Sequence, residues 1–230
     1  MTRIAYFNGK FVPETEVLIP YRDRSFNRGD GCFDMTRTFD GRIFRLAEHV
    51  ERLYRSLRYL RIDIGFESKE IVAISEEVVL RNEHLRAAAG DWWLAQRVSR
   101  GVDAIGDEGW AHTGPQVIVD CTPLPLKARA AQFRDGIDVV VPSIRRTPPS
   151  TLSPRAKTHN YLNLILADKE VKAAHRRRGR CCSMRTATSA RGSAATSSWC
   201  ATSGSTPRAR STCCPESAGG PRWSSPRSSA

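Results

Sequence analysis

Residues 144–166 read Ile-Arg-Arg-Thr-Pro-Pro-Ser-Thr-Leu-Ser-Pro-Arg-Ala-Lys-Thr-His-Asn-Tyr-Leu-Asn-Leu-Ile-Leu, and two backbone regimes meet inside them. The Ser153-Pro154 step disfavours helix and keeps the chain extended or turned. Beyond it Tyr161, Leu162, Ile165, Leu166 and Val171 recur at helical spacing, with Thr158 as the expected N-cap. Lys157 falls at the junction, where a side chain can be aimed into a cleft. Taken singly, a lysine is a solvated surface charge. Its neighbours decide otherwise.

The string Lys157-Thr158-His159-Asn160-Tyr161-Leu162-Asn163-Leu164-Ile165-Leu166-Ala167, preceded by Ser143-Ile144-Arg145-Arg146-Thr147-Pro148-Pro149, resembles the Schiff-base lysine segment of the class IV (fold type IV) pyridoxal-phosphate aminotransferases. That family includes branched-chain aminotransferases, D-amino-acid aminotransferases, (R)-selective amine transaminases and aminodeoxychorismate lyase. The lysine segment is most similar to the branched-chain group. The resemblance implies a two-domain α+β or α/β chain with a truncated second domain, pyridoxal 5'-phosphate as cofactor, and a homodimer. It also implies Lys157 as the catalytic and cofactor-bearing amine. Tyr161 would face the cofactor's phenolate oxygen, although core packing on a helix would equally suit it.

Other stretches carry the same likeness. Asp23-Arg24-Ser25-Phe26, with Gly29-Asp30-Gly31-Cys32-Phe33 after it, looks like the family's N-terminal signature. Its glycines read as turn backbone. Phe33 occupies a position where some relatives line the substrate pocket with an aromatic ring. Glu48-His49-Val50-Glu51-Arg52-Leu53 matches an E-H-x-x-R-L segment, which implies Arg52 as the grip on the cofactor phosphate. A guanidinium suits that task, being always charged and presenting a planar fork to phosphate oxygens. The plain alternative is a surface arginine paired with Glu48 at i,i+4, and His49 reads as packed or capping. Arg145 is a candidate for binding a substrate carboxylate.

The rest of the chain is laid out by period and punctuation. Asn8-Gly9 within residues 4–17 signals a hairpin. Asp34–Phe39 alternates as a strand and turns at Asp40-Gly41. Leu46, Val50, Leu53, Leu57 and Leu60 mark a helix over 46–61. A second helix is expected over 67–83, then strands around Trp92–Val98 and Val117–Cys121, with an Arg100-Gly101 turn between them. Asp135-Gly136 is a turn into a buried strand over Asp138–Ile144. The implied organisation is a small domain over 1–122, a linker at 123–127, and the start of a larger domain over 128–175.

Charge separates the last part from all of this. The chain of 230 residues carries a net +12, but positions 1–175 hold 26 basic and 23 acidic residues. The excess belongs to 176–230, with ten arginines against the single acid Glu216. From Cys181 onward there is no Val, Ile, Leu, Phe, Tyr, Asp, Asn or Lys. Such a composition buries too little apolar area to offset chain entropy, so disorder is expected there. A natural low-complexity tail is one reading; a frame-shifted translation is the preferred one. Taking the third base of each codon with the first two of the next, Cys181 onward permits Leu-Leu-Asp-Glu-Asp-Gly-Asn-Ile-Cys-Glu-Gly-Leu-Gly-Ser-Asn-Ile-Phe-Leu-Val-Arg. Those residues look like the next motif of the same family. The glutamate that in relatives keeps the pyridine nitrogen protonated would then span the codons of Ala190 and Arg191.

Transamination needs one amine to hold the cofactor and shuttle a proton, with the cofactor as electron sink. The substrates implied are an amino acid and a 2-oxo acid. A chain frame-shifted from about residue 176 would be defective. Within the same fold, aminodeoxychorismate lyase or a D-amino-acid or (R)-amine transaminase are the rivals. A basic nucleic-acid-binding protein using Arg176-Arg177-Arg178 is the rival outside it, without a recognisable binding module. No nucleic acid, membrane or metal is expected. Cys181-Cys182 and Cys213-Cys214 lack the spacer a zinc site needs. No apolar run spans a bilayer and no signal core opens the chain, so a cytoplasmic protein with reduced thiols is expected.

Overall fold

A computed structural model describes residues 2–106, 111–136, 138–174 and 181–183. The expectations for the remaining tail, including the Ala190–Arg191 position, lie outside them. The chain divides into two compact units, one of Met1–Ala131 with Arg146–Asn163, the other of Gln132–Arg145 with Leu164–Ala230.

The first unit is built on a six-stranded antiparallel sheet in the order β2-β1-β6-β5-β3-β4. Its strands are β1 (Ile4–Phe7), β2 (Lys10–Pro13), β3 (Gly31–Phe39), β4 (Arg42–Ile43), β5 (Trp92–Ser99) and β6 (Gln116–Pro123). Both hairpins have the expected two-residue turns. Asn8 and Gly9 take φ of 45° and 94°, Asp40 and Gly41 50° and 74°, the left-handed pair that matches strand twist. β3 pairs with β5 so that Phe33 opposes Arg97, and Cys32, Asp34, Thr36 and Thr38 point to the opposite, buried face.

That buried face is covered by α2 (Leu46–Leu60) and α3 (Ser68–Asn82). Val50, Leu53 and Leu57 of α2 meet Ile71 and Val78 of α3, and Trp92, Leu94, Val98, Val117 and Val119 from the sheet. Glu67 and Glu70 form a reciprocal capping box on α3. α2 ends on Arg61 in the left-handed region, and its last carbonyls are taken by Arg100, which donates to Leu60 O at 2.7 Å and Arg61 O at 3.1 Å. A guanidinium at a helix C-terminus satisfies orphan acceptors and opposes the dipole.

The N-terminal glycine-rich stretch folds as α1 (Arg24–Arg28), capped by Asp23, whose Oδ1 accepts from the Ser25 and Phe26 amides. Asp23 Oδ2 also accepts from Ser99 Oγ at 2.6 Å. Asp30 accepts from both Arg24 and Arg100, at 3.0 and 2.7 Å. The signature residues therefore lock α1 to the Arg100-Gly101 turn and to the end of α2.

Four expectations are corrected. The segment at 123–127 is not a bare linker: Leu124 is buried, its amide donates to Asp91 O at 2.8 Å, and α4 (Leu126–Asp135) begins inside it. The strand expected over 138–144 is only β7 (Asp138–Val140), because Val141 turns outward and is exposed. The helix expected from Thr158 starts at Leu162, as α5 (Leu162–Ala174). In the second unit, Cys181–Ser183 forms β8, parallel to β7 with Asp138 opposite Cys181, against the disorder that composition predicts for 176–230. A strand ladder is made by backbone groups and tolerates a poor side-chain composition. Glu170 of α5 accepts from the Ser143 amide and hydroxyl at 2.9 and 3.0 Å.

Candidate active site

Thr158, four residues before α5, forms an isolated bridge to Cys32 in place of a helical turn, and this fixes Lys157. β3 has a free edge at its beginning, since β4 covers only its far end. Phe33 donates its amide to Lys157 O at 2.9 Å, and His159 donates to Gly31 O at 3.0 Å, with Thr158 bridged to Cys32. The competing claim of an edge strand on these backbone groups displaces the helix start. On its other side the segment meets α2: the Lys157 amide donates to Ser56 Oγ at 3.1 Å, and Ser56 donates onward to Arg52 O at 3.1 Å. Lys157 is only 5% exposed. Its Nζ lies 4.8 Å from the centroid of the Phe33 ring.

Gly31 makes that approach possible. A Cβ there would collide with Val98 O and come within 2.8 Å of Ser25 Oγ and 2.9 Å of His159 Nδ1. Its role is close passage rather than the turn the sequence suggested. Gly29 does adopt the turn conformation, at φ 70°, and its carbonyl accepts from Asn160 Nδ2 at 3.0 Å.

Behind the lysine is a carboxylate that sequence reading passed over. Asp34 is fully buried. Arg52 donates to it through Nε at 2.7 Å and Nη2 at 2.9 Å, and His49 Nδ1 donates at 2.7 Å. Burial alone would raise this carboxyl. The hydrogen bonds from Arg52 and His49, with the charges of Lys157 and Arg52, hold it instead well below the usual carboxylate range. Asp34 is thus an anion buried among cations, orienting the Arg52 fork and lying electrostatically next to the Lys157 amine. The surface pair of Arg52 with Glu48 does not form the observed contact; Glu48 pairs with Arg45.

The third part is aromatic. Phe33 is stacked on His159, with centroids 5.5 Å apart and planes at 22°, and lies 5.4 Å from the tilted Tyr161 ring. Arg97, opposite Phe33 in the sheet, has Cζ 5.9 Å from the Phe33 ring and pairs with Asp120 at 2.9 Å. His159 is hydrogen-bonded through Nδ1 to Ser25 Oγ. Burial, with the nearby Arg97 charge, pushes its imidazole down to about 4 against a smaller opposite pull from Asp23.

Of the residues singled out in sequence, Phe33, Arg52, Lys157 and Tyr161 lie in the first unit, gathered around the β3 edge. Arg145 is exposed and belongs to the second unit. Asp34, Ser56 and His159 were missed. Asp34 had a signal: an acid in phase with Cys32, Thr36 and Thr38 on an alternating strand. Ser56 and His159 had none beyond their neighbours. Among the described residues no group of three or more His, Cys, Asp or Glu could hold a metal ion, and no helix is long and apolar enough to cross a membrane. The free thiols of Cys32 and Cys121 are buried, and burial first of all pushes both up to about 12.

The chain as a whole resembles known proteins. A family model described as amino-transferase class IV matches residues 31–177. A Methanocaldococcus jannaschii protein provisionally named as a branched-chain-amino-acid aminotransferase is 36% identical over 162 residues, covering 70% of this chain and 53% of that protein. Aminodeoxychorismate lyase of Bacillus subtilis is 29% identical over 166 residues, covering 72% of this chain and 54% of its own length. The chain spans about half the length of these two relatives. Among solved structures, a branched-chain amino acid aminotransferase of T.th. complexed with N-(5'-phosphopyridoxyl)-L-glutamate superposes with a TM-score of 0.67 at 26% identity, over 80% of this chain and 58% of that one. The fold is that of the fold type IV aminotransferases, and the chain belongs to the class IV amino-transferase family.

Proposed function

We propose that this chain descends from a pyridoxal-phosphate-dependent transaminase that moves an amino group between a branched-chain-like amino acid and a 2-oxo acid. The observation that carries this reading is Lys157: a sheltered amine on the β3 edge, facing an aromatic ring and backed by the Asp34–Arg52 pair. Those groups fit the cofactor in kind. A flat aromatic wall suits a flat ring, an amine suits an aldehyde, and Arg52 offers a guanidinium to a phosphate. Pyridoxal 5'-phosphate, when bound, supplies the carbonyl that takes up the amino group and a ring that disperses the charge left at Cα.

The protein's own residues divide the remaining tasks. Lys157 Nζ would hold the cofactor and would carry the proton that leaves the substrate's Cα. Arg52 binds the phosphate, with Asp34 fixing the direction of its fork. Phe33 would form one wall of the substrate pocket and Tyr161 would face the cofactor's phenolate oxygen; Arg145, proposed for a substrate carboxylate, belongs to the second unit. The chain as translated is proposed to be defective, since Ala190 and Arg191 stand where the shifted phase spells the glutamate that would hold the ring nitrogen protonated. The small-molecule substrates, a cytoplasmic setting and a homodimer complete the reading. Exposed Leu18, Ile19, Tyr21 and Phe26, close together in sequence, support a covered face between two copies.

The test is a transamination assay on two proteins, this chain and one translated from the phase-restored gene. Activity is expected in the second and absent or nearly so in the first. Full activity in the chain as it stands, or none in the restored protein, would contradict the proposal. The likeness to aminodeoxychorismate lyase favours one rival. It is separated by acceptor dependence, because a transaminase stalls without a 2-oxo acid and a lyase does not.

A further inference from the structure

The proposed chemistry gives His159 no task, yet the site is shaped around it. Its amide completes the rung to Gly31 at 3.0 Å, and its Nδ1 is tied to Ser25 Oγ. Gly31 lacks the Cβ that would press on that same Nδ1 from 2.9 Å. Its ring lies nearly parallel to Phe33, whose ring in turn is 4.8 Å from Lys157 Nζ. Phe33 is only half-buried, so packing against the core does not by itself fix its side-chain torsions.

We infer that His159 is a positioning residue: anchored by Ser25, its ring clamps Phe33 and so holds the aromatic face against the amine of Lys157. An ammonium on a ring face gains about 0.5–1 kcal/mol at exposed sites and more when desolvated, which a ring free to swing away would lose. The uncharged imidazole matters to this arrangement. An imidazolium would compete with Lys157 for the same ring and repel its charge. Arg97 from β5 already presents a second cation at 5.9 Å, while Asp23, ahead of α1, is the acid facing His159.

This inference rests on Lys157 being the working amine, and it is tested without cofactor turnover. The full chain, free of cofactor, is trace-labelled with acetic anhydride, and the rate at Lys157 is measured by peptide mass spectrometry against the other lysines. His159→Ala is expected to raise the Lys157 rate about two- to fivefold, the equivalent of the lost ring contact, and to leave the others unchanged. His159→Phe, which keeps a stacking ring, is expected to stay near the parent. In a Phe33→Leu background His159→Ala is expected to add nothing. Should His159→Ala fail to fold, Ser25→Ala carries the test, with the same rise expected. An unchanged Lys157 rate, an equal rise at every lysine, or a full effect persisting without Phe33 overturns the clamp. If Lys157 responds to His159 but retains no pyridoxyl group on reduction, the cofactor assignment fails and the clamp stands.

Discussion

At the scale of single residues, Asp34 decides most. Asp34→Asn leaves the Arg52 fork without its bidentate partner while keeping the shape. A fully buried pair broken this way loses about 3–5 kcal/mol; with the Arg52 side chain 24% exposed, solvent screens part of it and about 2–3 kcal/mol is expected. Urea unfolding reads this directly, and a change within error of zero would remove Asp34 from its orienting role. His159 makes a pH-dependent contribution of known sign. Its folded pKa is depressed to about 4, so the unfolded chain, near 6.5, binds a proton that the folded chain refuses. Stability from this source is complete above pH 6.5 and declines as pH falls towards 4. His159→Phe should flatten that stretch of the stability curve. Asp34 acts lower: its contribution is present above the ordinary carboxylate range and is lost as pH falls below it. The two effects are thereby separable by variant and by pH window.

At the scale of elements, the junction between the β3 edge and the Lys157 segment is the critical contact. Gly31→Ala introduces a methyl group against Val98 O, backbone that cannot yield cheaply. A destabilisation of about 1–3 kcal/mol is expected, as for other overpacked sites, together with loss of the protection of Lys157 from amine reagents. Protected Lys157 in that variant would contradict the rung as the device that places it. Much at this scale was legible in the sequence. Asn8-Gly9 and Asp40-Gly41 specify their turns by chemistry, and the 3.6-residue stripe of Leu46, Val50, Leu53 and Leu57 specifies a helix with one buried face. The start of α5 was not legible. Thr158 and Tyr161 fit a helical pattern as well as an extended one, and the choice was made by a free strand edge more than a hundred residues away. Gly31 hid its role for the same reason: a close approach is visible only once the approaching segment is in place.

At the scale of the whole molecule, composition separates residues 1–175 from residues 176–230, and the strongly basic net charge is a property of the second part alone. The rival reading as a nucleic-acid binder makes a distinct forecast. Binding would weaken steeply with salt and vanish on deleting 176–230, whereas pyridoxal phosphate capture would survive the deletion if the first unit holds the amine. The site itself was half legible. Lys157 and Arg52 stood out through their flanking strings, but Asp34 is a carboxylate on a strand whose burial depends on two cations, Arg52 and Lys157, and the His49 ring arriving from other elements. No local pattern announces that.

The most direct test of the account is the chemical fate of one amine. The phase-restored protein, incubated with pyridoxal 5'-phosphate and reduced with borohydride, is digested and mapped by mass spectrometry. A pyridoxyl group on Lys157, absent in Lys157→Ala, is the expected result; a label on another lysine, or on none, would contradict it.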